Sequence, residues 1–84
     1  MRLNIEKKKL NVNFDTTDQL IHHSISCYNT DIFSDIEDEL YNIYPQLKHK
    51  DNIFLCGGNT VKRSLTLQQN KIKDGDHIII YDND

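Results

Sequence analysis

The sequence predicts a single α+β domain in which four to five strands form one sheet and one helix packs on one face of it. Three observations carry this expectation. Two neighbouring runs alternate apolar and polar residues, and one later run spaces its apolar residues for a single helix face. The carboxyl-terminal half then holds short apolar segments separated by glycine-bearing turns.

Leu10, Val12 and Phe14 alternate with Asn11 and Asn13, the period of a half-buried strand. Asp15 to Asp18 reads as a polar turn. Ile21, His23, Ile25 and Cys27 then share one face, and His22, Ser24 and Ser26 share the other. The two runs form a hairpin. Leu3 and Ile5 alternate as well, so residues 1–9 read as an amino-terminal tail or an extra strand, and the main domain spans 10–82. A hairpin of Leu3–Ile5 with Leu10–Phe14 is the alternative opening pair.

Phe33, Ile36, Leu40 and Ile43 are spaced three, four and three residues apart, which puts them on one face of a helix expected over 31–44. Thr30 or Asp31 is the expected N-cap. Asp31, Asp35, Glu37, Asp38 and Glu39 read as a solvated acidic face near the positive end of the helix dipole. Pro45 ends the helix, because the residue before a proline avoids helical geometry. Asn52 to Cys56 is a short apolar strand, Gly57-Gly58 a turn, and Val61 the opening of a brief strand. Leu65 to Gln69 reads as one helical turn, Lys73-Asp74-Gly75-Asp76 as a tight turn, and His77 to Tyr81 as the closing strand.

At 84 residues the chain has room for one domain with a small core. The net charge of -3, with Lys7-Lys8-Lys9 as the single basic run, argues against general nucleic-acid binding. No apolar run follows Met1 and Arg2, and the longest strongly apolar run is Ile78 to Tyr81. The expectation is therefore an intracellular, cytoplasmic protein without a membrane partner.

No spacing assembles a nucleophile, base and orienting acid, and no glycine loop is built to cradle phosphate, so no catalytic residue and no cofactor is expected. His22, His23 and Cys27 are close in sequence, but adjacent strand residues point to opposite faces, so no metal site is expected. Cys27 and Cys56 are expected to remain unpaired thiols.

The segment FLCGGNTVKRSLTLQQNKIKDGDHIIIY, from Phe54 to Tyr81, resembles the second half of ubiquitin without a gap. Leu67, Ile72, Ile78 and Ile80 fall on core positions of that template, and Phe33, Ile36 and Leu40 reproduce the spacing of its helix face. The resemblance covers about residues 10–82. It implies a ubiquitin-like β-grasp fold with a mixed sheet. The last strand would lie parallel to the first at the sheet centre, with the hairpin partner on one side and the third strand on the other. Left-handed turns would fall at Gly57 and Gly75, where glycine adopts positive φ without steric cost. Phe14, Val12, Ile25, Ile36, Leu40, Phe54, Leu67, Ile78 and Ile80 would form most of the core. In this order Cys27 and Cys56 stand three strands apart, roughly 14 Å, beyond the ~7 Å a disulfide spans.

The resemblance implies the fold rather than the family's conjugation chemistry, since Tyr81-Asp82-Asn83-Asp84 stands where a Gly-Gly pair would be. The expected function is that of a non-conjugated, non-enzymatic interaction module that takes a protein partner on the sheet face opposite the helix. Its partner-binding residues would be Leu55, Ile79 and Tyr81, whose aligned positions in ubiquitin belong to its main recognition patch. The alternatives are a structural subunit or fragment of a larger assembly, and a charge-paired β-grasp heterodimerisation domain using Asp74, Asp76, Asp82 and Asp84.

Overall fold

The computed structural model describes residues 6–82. Strands β1 (Lys9–Thr16) and β2 (His22–Tyr28) form an antiparallel hairpin, followed by helix α1 (Phe33–Ile43) and a 3-10 turn (Pro45–Leu47). Strands β3 (Asn52–Cys56), β4 (Asn59–Thr60) and β5 (His77–Asp82) complete a five-stranded sheet of order β2-β1-β5-β3-β4. β1 and β5 are parallel, and the remaining pairs are antiparallel. This is the mixed sheet with a central parallel pair that the resemblance implied. Leu3 and Ile5, which the alternative opening hairpin requires, lie outside the described residues. β1 has neighbours on both edges, β2 and β5. Among the described residues, no helix is long and apolar enough to cross a membrane.

Alternation sorts the sheet into two faces. Leu10, Val12, Phe14, Ile25, Cys27, Phe54, Ile78 and Ile80 are buried toward the helix, where they meet Phe33, Ile36 and Leu40. All nine core residues expected from the sequence are buried there, with Leu67 closing one end. Burying each such side chain contributes about 1.5–3 kcal/mol. Gly57 and Gly75 hold φ of 58° and 85°, the left-handed turns the template required.

Several local expectations are corrected. The polar turn after β1 starts later than Asp15, because β1 runs through Asp15 to Thr16 along the edge of β5. The brief fourth strand is Asn59–Thr60, and Val61 follows it into the core. The 65–69 segment closes as a single turn, with the Asn70 amide donating to the Thr66 carbonyl at 3.0 Å, shifted one residue from its expected place, and does not continue as a helix. Ile43, at the last turn of α1, is 44% exposed.

The helix start differs most. Its N-cap is Ile32, which makes no capping side-chain bond. The first amides of a helix lack partners within it, and here backbone carbonyls supply them. Phe33 donates to the Leu65 carbonyl at 2.9 Å and Ser34 to the Arg63 carbonyl at 3.0 Å. The Asp31 carboxylate instead accepts from the Tyr28 amide at 2.8 Å.

Glu37, read from sequence as part of a solvated acidic face, is buried. Arg63 Nε donates to both of its carboxylate oxygens, at 2.8 and 3.0 Å, and Tyr41 Oη donates at 2.6 Å. Burial first, then the Glu37 carboxylate, pushes the Tyr41 phenol above its ordinary pKa and keeps it a donor. Arg63 also donates to the Asn52 carbonyl and lies 5.3 Å over the Phe54 ring. The cluster ties α1, β3 and the 61–66 loop together. Arg63→Ala should cost about 1.5–3 kcal/mol, the range for hydrogen bonds to charged groups. Half-exposure of the guanidinium holds it below the cost of a fully buried pair. Urea denaturation checks this, and a loss under about 0.5 kcal/mol would be that of an ordinary surface position.

Candidate functional site

The helix covers one face of the sheet, and the outward residues of the other face are sorted by strand pairing. Leu55 on β3 is directly opposite Ile79 on β5, and Ile53 is opposite Tyr81. Facing positions lie about 5 Å apart, so the four side chains form one apolar strip across two neighbouring strands. Leu55, Ile79 and Ile53 are half-buried, and Tyr81 is 45% exposed. The structure thus brings together the three residues singled out from sequence and adds Ile53. Its signal is the alternation along β3, which puts Ile53 on the same face as Leu55, two residues further along.

A polar row borders the strip on the β1 side. Asp15, paired with Ile79 across β1 and β5 and with His22 across the hairpin, stands between two imidazoles. His22 Nδ1 lies 2.5 Å from Asp15 Oδ1, and His77 Nδ1 lies 2.9 Å from Asp15 Oδ2. The row is not legible in the sequence, where Asp15 reads as part of a polar turn. Once β1 extends to Thr16, the hairpin register puts Asp15 beside His22. Among the described residues, no group of three or more His, Cys, Asp or Glu is placed to hold a metal ion. The row is a hydrogen-bonded chain of three side chains.

Hydrogen bonds from His22, then from His77, hold the Asp15 carboxyl below its ordinary pKa. A carboxylate whose folded-state value is depressed stabilises the fold above its unfolded value of about 4. That contribution is lost as the pH falls through the lower folded-state value. Asp15→Asn should therefore be less stable than the parent near pH 6, and the two denaturation midpoints should converge in acid. A gap that persists or widens below about pH 2 would separate the effect from carboxylate ionisation.

The other residues singled out from the sequence have defined places in the fold. Asp74 Oδ1 accepts from the Asn11 amide and ties the turn to β1, and Asp76 Oδ2 accepts from the Lys73 amide and closes the turn before β5, both at 2.8 Å. Asp82 pairs with Lys50 at 3.2 Å, and Asp84 lies outside the described residues. His23 points to the other face and meets Tyr44, ring against ring. Cys27 and Cys56 are free thiols on β2 and β3, with β1 and β5 between them. Burial pushes the Cys27 thiol up to about 11; burial and then Asp76 raise that of Cys56. Neither is an activated nucleophile at neutral pH.

No protein-family model matches the chain, and no curated protein matches it. Solved structures do. A de novo designed protein based on ubiquitin superposes with a TM-score of 0.75 at 12% identity, covering 89% of this chain and 89% of its own. The solution structure of the ubiquitin-like domain of an Arabidopsis thaliana protein gives a TM-score of 0.77 at 12% identity, covering 92% of this chain and 80% of its own. Likeness at that identity is likeness of backbone architecture, and it agrees with the sheet order, the parallel central pair and the single helix. The chain has the ubiquitin-like β-grasp fold.

Proposed function

We propose that this chain is a ubiquitin-like interaction module, a binding domain rather than an enzyme, that takes a protein partner on the sheet face opposite α1. Leu55, Ile79 and Tyr81 are the centre of the contact, with Ile53 beside them. The observation that supports this reading most is the register. Two facing pairs on adjacent strands make a continuous apolar strip on the face that α1 leaves uncovered. Scattered exposed apolar residues are normal on a protein surface, whereas a contiguous strip on a small domain marks a contact site. Tyr81 carries an apolar body and a polar tip, the make-up of an interface anchor. The solved structures of similar fold are compatible with a binding role, but a fold hosts many functions, so the reading rests on the strip.

The test is the triple variant Leu55→Ser, Ile79→Thr and Tyr81→Ser in a tagged chain. It should keep the circular dichroism of the parent and lose the partners that the parent captures. Retention of every partner by a folded triple variant would move the interface elsewhere. Unfolding would place these side chains in the core, one register position from where the pairing puts them.

A further inference from the structure

The polar row next to the strip has a polarity that its own hydrogen bonds fix. An ionised carboxylate only accepts. Because Asp15 meets both rings at Nδ1, both Nδ1 atoms must carry hydrogen. In the neutral imidazoles, Nε2 is then the bare acceptor nitrogen on each ring. Both side chains are about two-thirds exposed, at 64% and 67%, while Asp15 beneath them is 20% exposed. A second proton on each ring would turn both Nε2 atoms from acceptors into donors and change the row's charge from −1 to +1.

Resting on the docking reading above, we propose that the His22–Asp15–His77 row selects the partner's polar contact. It accepts a lysine or arginine side chain next to an apolar one seated on Ile79, and it repels that cation once the rings are protonated. Charge complementarity argues for this occupant. The row carries a net negative charge while its rings are neutral, and the whole chain has a net charge of -3. Asp15 is the cross-strand neighbour of Ile79, so a cation and an apolar group on one short partner segment reach both.

Off the strands, the Lys71 cation lines a surface pocket together with His77 and Asp76, at that end of the row. The other titratable or charged groups outward on the strands are few. Lys9 stands at the opposite end of β1, paired with Tyr28 of β2, whose ring lies under Lys7 Nζ at 4.3 Å. Tyr81 ends the strip on β5, and Ile53 and Leu55 on β3 carry no charge. Asp76, just before His77, is engaged by the Lys73 amide and Cys56 Sγ, and Asp18 in the β1–β2 turn by Thr16 Oγ1 and the Leu20 amide. Histidine is the side chain in this set that changes charge between pH 5 and 8.

The experiment is NMR on the labelled chain with three blocked dipeptide probes, acetyl-Leu-Arg-amide, acetyl-Leu-Glu-amide and acetyl-Leu-Leu-amide. Imidazole nitrogen shifts at pH 8 should show the Nδ1–H tautomer at His22 and His77, and Asp15→Asn should abolish that preference. At pH 7.5 the arginine probe should perturb Ile79, His22 and His77 more strongly than the glutamate probe. Its affinity should fall on the order of tenfold by pH 5.5, a change worth about 1.4 kcal/mol. His22→Ala and His77→Ala, on the open face, should each reduce that pH response. Nε2–H tautomers, or equal binding of the arginine and glutamate probes at pH 7.5, would overturn the proposal. A face that responds to all three probes alike would leave the docking reading standing and remove only the selection. A face that responds to none would remove both.

Discussion

Phe54→Ala is expected to cost about 3–5 kcal/mol, the range for deleting a buried aromatic ring. Phe54 is 1% exposed and stands where three aromatic rings meet. Its centroid lies 5.1 Å from that of Phe33 and 6.2 Å from that of Phe14, both edge-on, so α1, β1 and β3 converge on it. Such pairs contribute about 0.5–1.5 kcal/mol beyond the area they bury. The Arg63 guanidinium over the same ring would lose its aromatic contact too. Small domains have total stabilities of about 5–15 kcal/mol, so this single truncation removes much of the margin and leaves a substantial unfolded fraction near 37 °C. Urea denaturation with the slope unchanged would read the loss directly. Phe54→Leu, which refills part of the volume, should lose less. A Phe54→Ala loss under about 1 kcal/mol would contradict a core centred on these three rings.

What could be read from the sequence was what depends on short periods. Leu10, Val12, Phe14 and Ile25 declare their face through alternation, and Phe33, Ile36 and Leu40 declare theirs through helical spacing. What could not be read depended on partners far along the chain. Glu37 lies four residues after Phe33 and three before Leu40, so its place on the buried stripe was present in the spacing. Its acidic side chain reads as solvated until Arg63, 26 residues later, is seen to reach it. The helix start follows the same logic. Backbone carbonyls of Arg63 and Leu65 occupy the amides that a Thr30 or Asp31 side chain would otherwise cap. On the open face, Leu55, Ile79 and Tyr81 follow from alternation joined to the sheet order that the resemblance implies, whereas the row at Asp15 needs the hairpin register and the parallel β1–β5 pairing. Neither of these is written in the residues around Asp15.

Ile80→Ala and Ile79→Ala, one position apart on β5, are expected to differ severalfold in their effect on stability. Ile80 is 2% exposed, faces α1, and pairs with Phe54 on one side and Thr16 on the other. Its truncation leaves a cavity among Phe54, Leu40 and their neighbours, which relax only partly. The expected cost is about 2–5 kcal/mol. Ile79 points to the opposite face, where it is half-buried between Leu55 and Asp15. Water can fill the space its side chain leaves, so no cavity forms, and the expected cost is under about 1 kcal/mol. The pair tests the strand register and the docking reading together. A strand shifted by one residue would exchange the two costs, because each step along a strand changes the face. A cost of about 2 kcal/mol or more at both positions would mean that Ile79 is covered in the folded chain and not available to a partner. The expected asymmetry, joined to loss of captured partners by the stable Ile79→Ala protein, would put the interaction on the face that α1 leaves open.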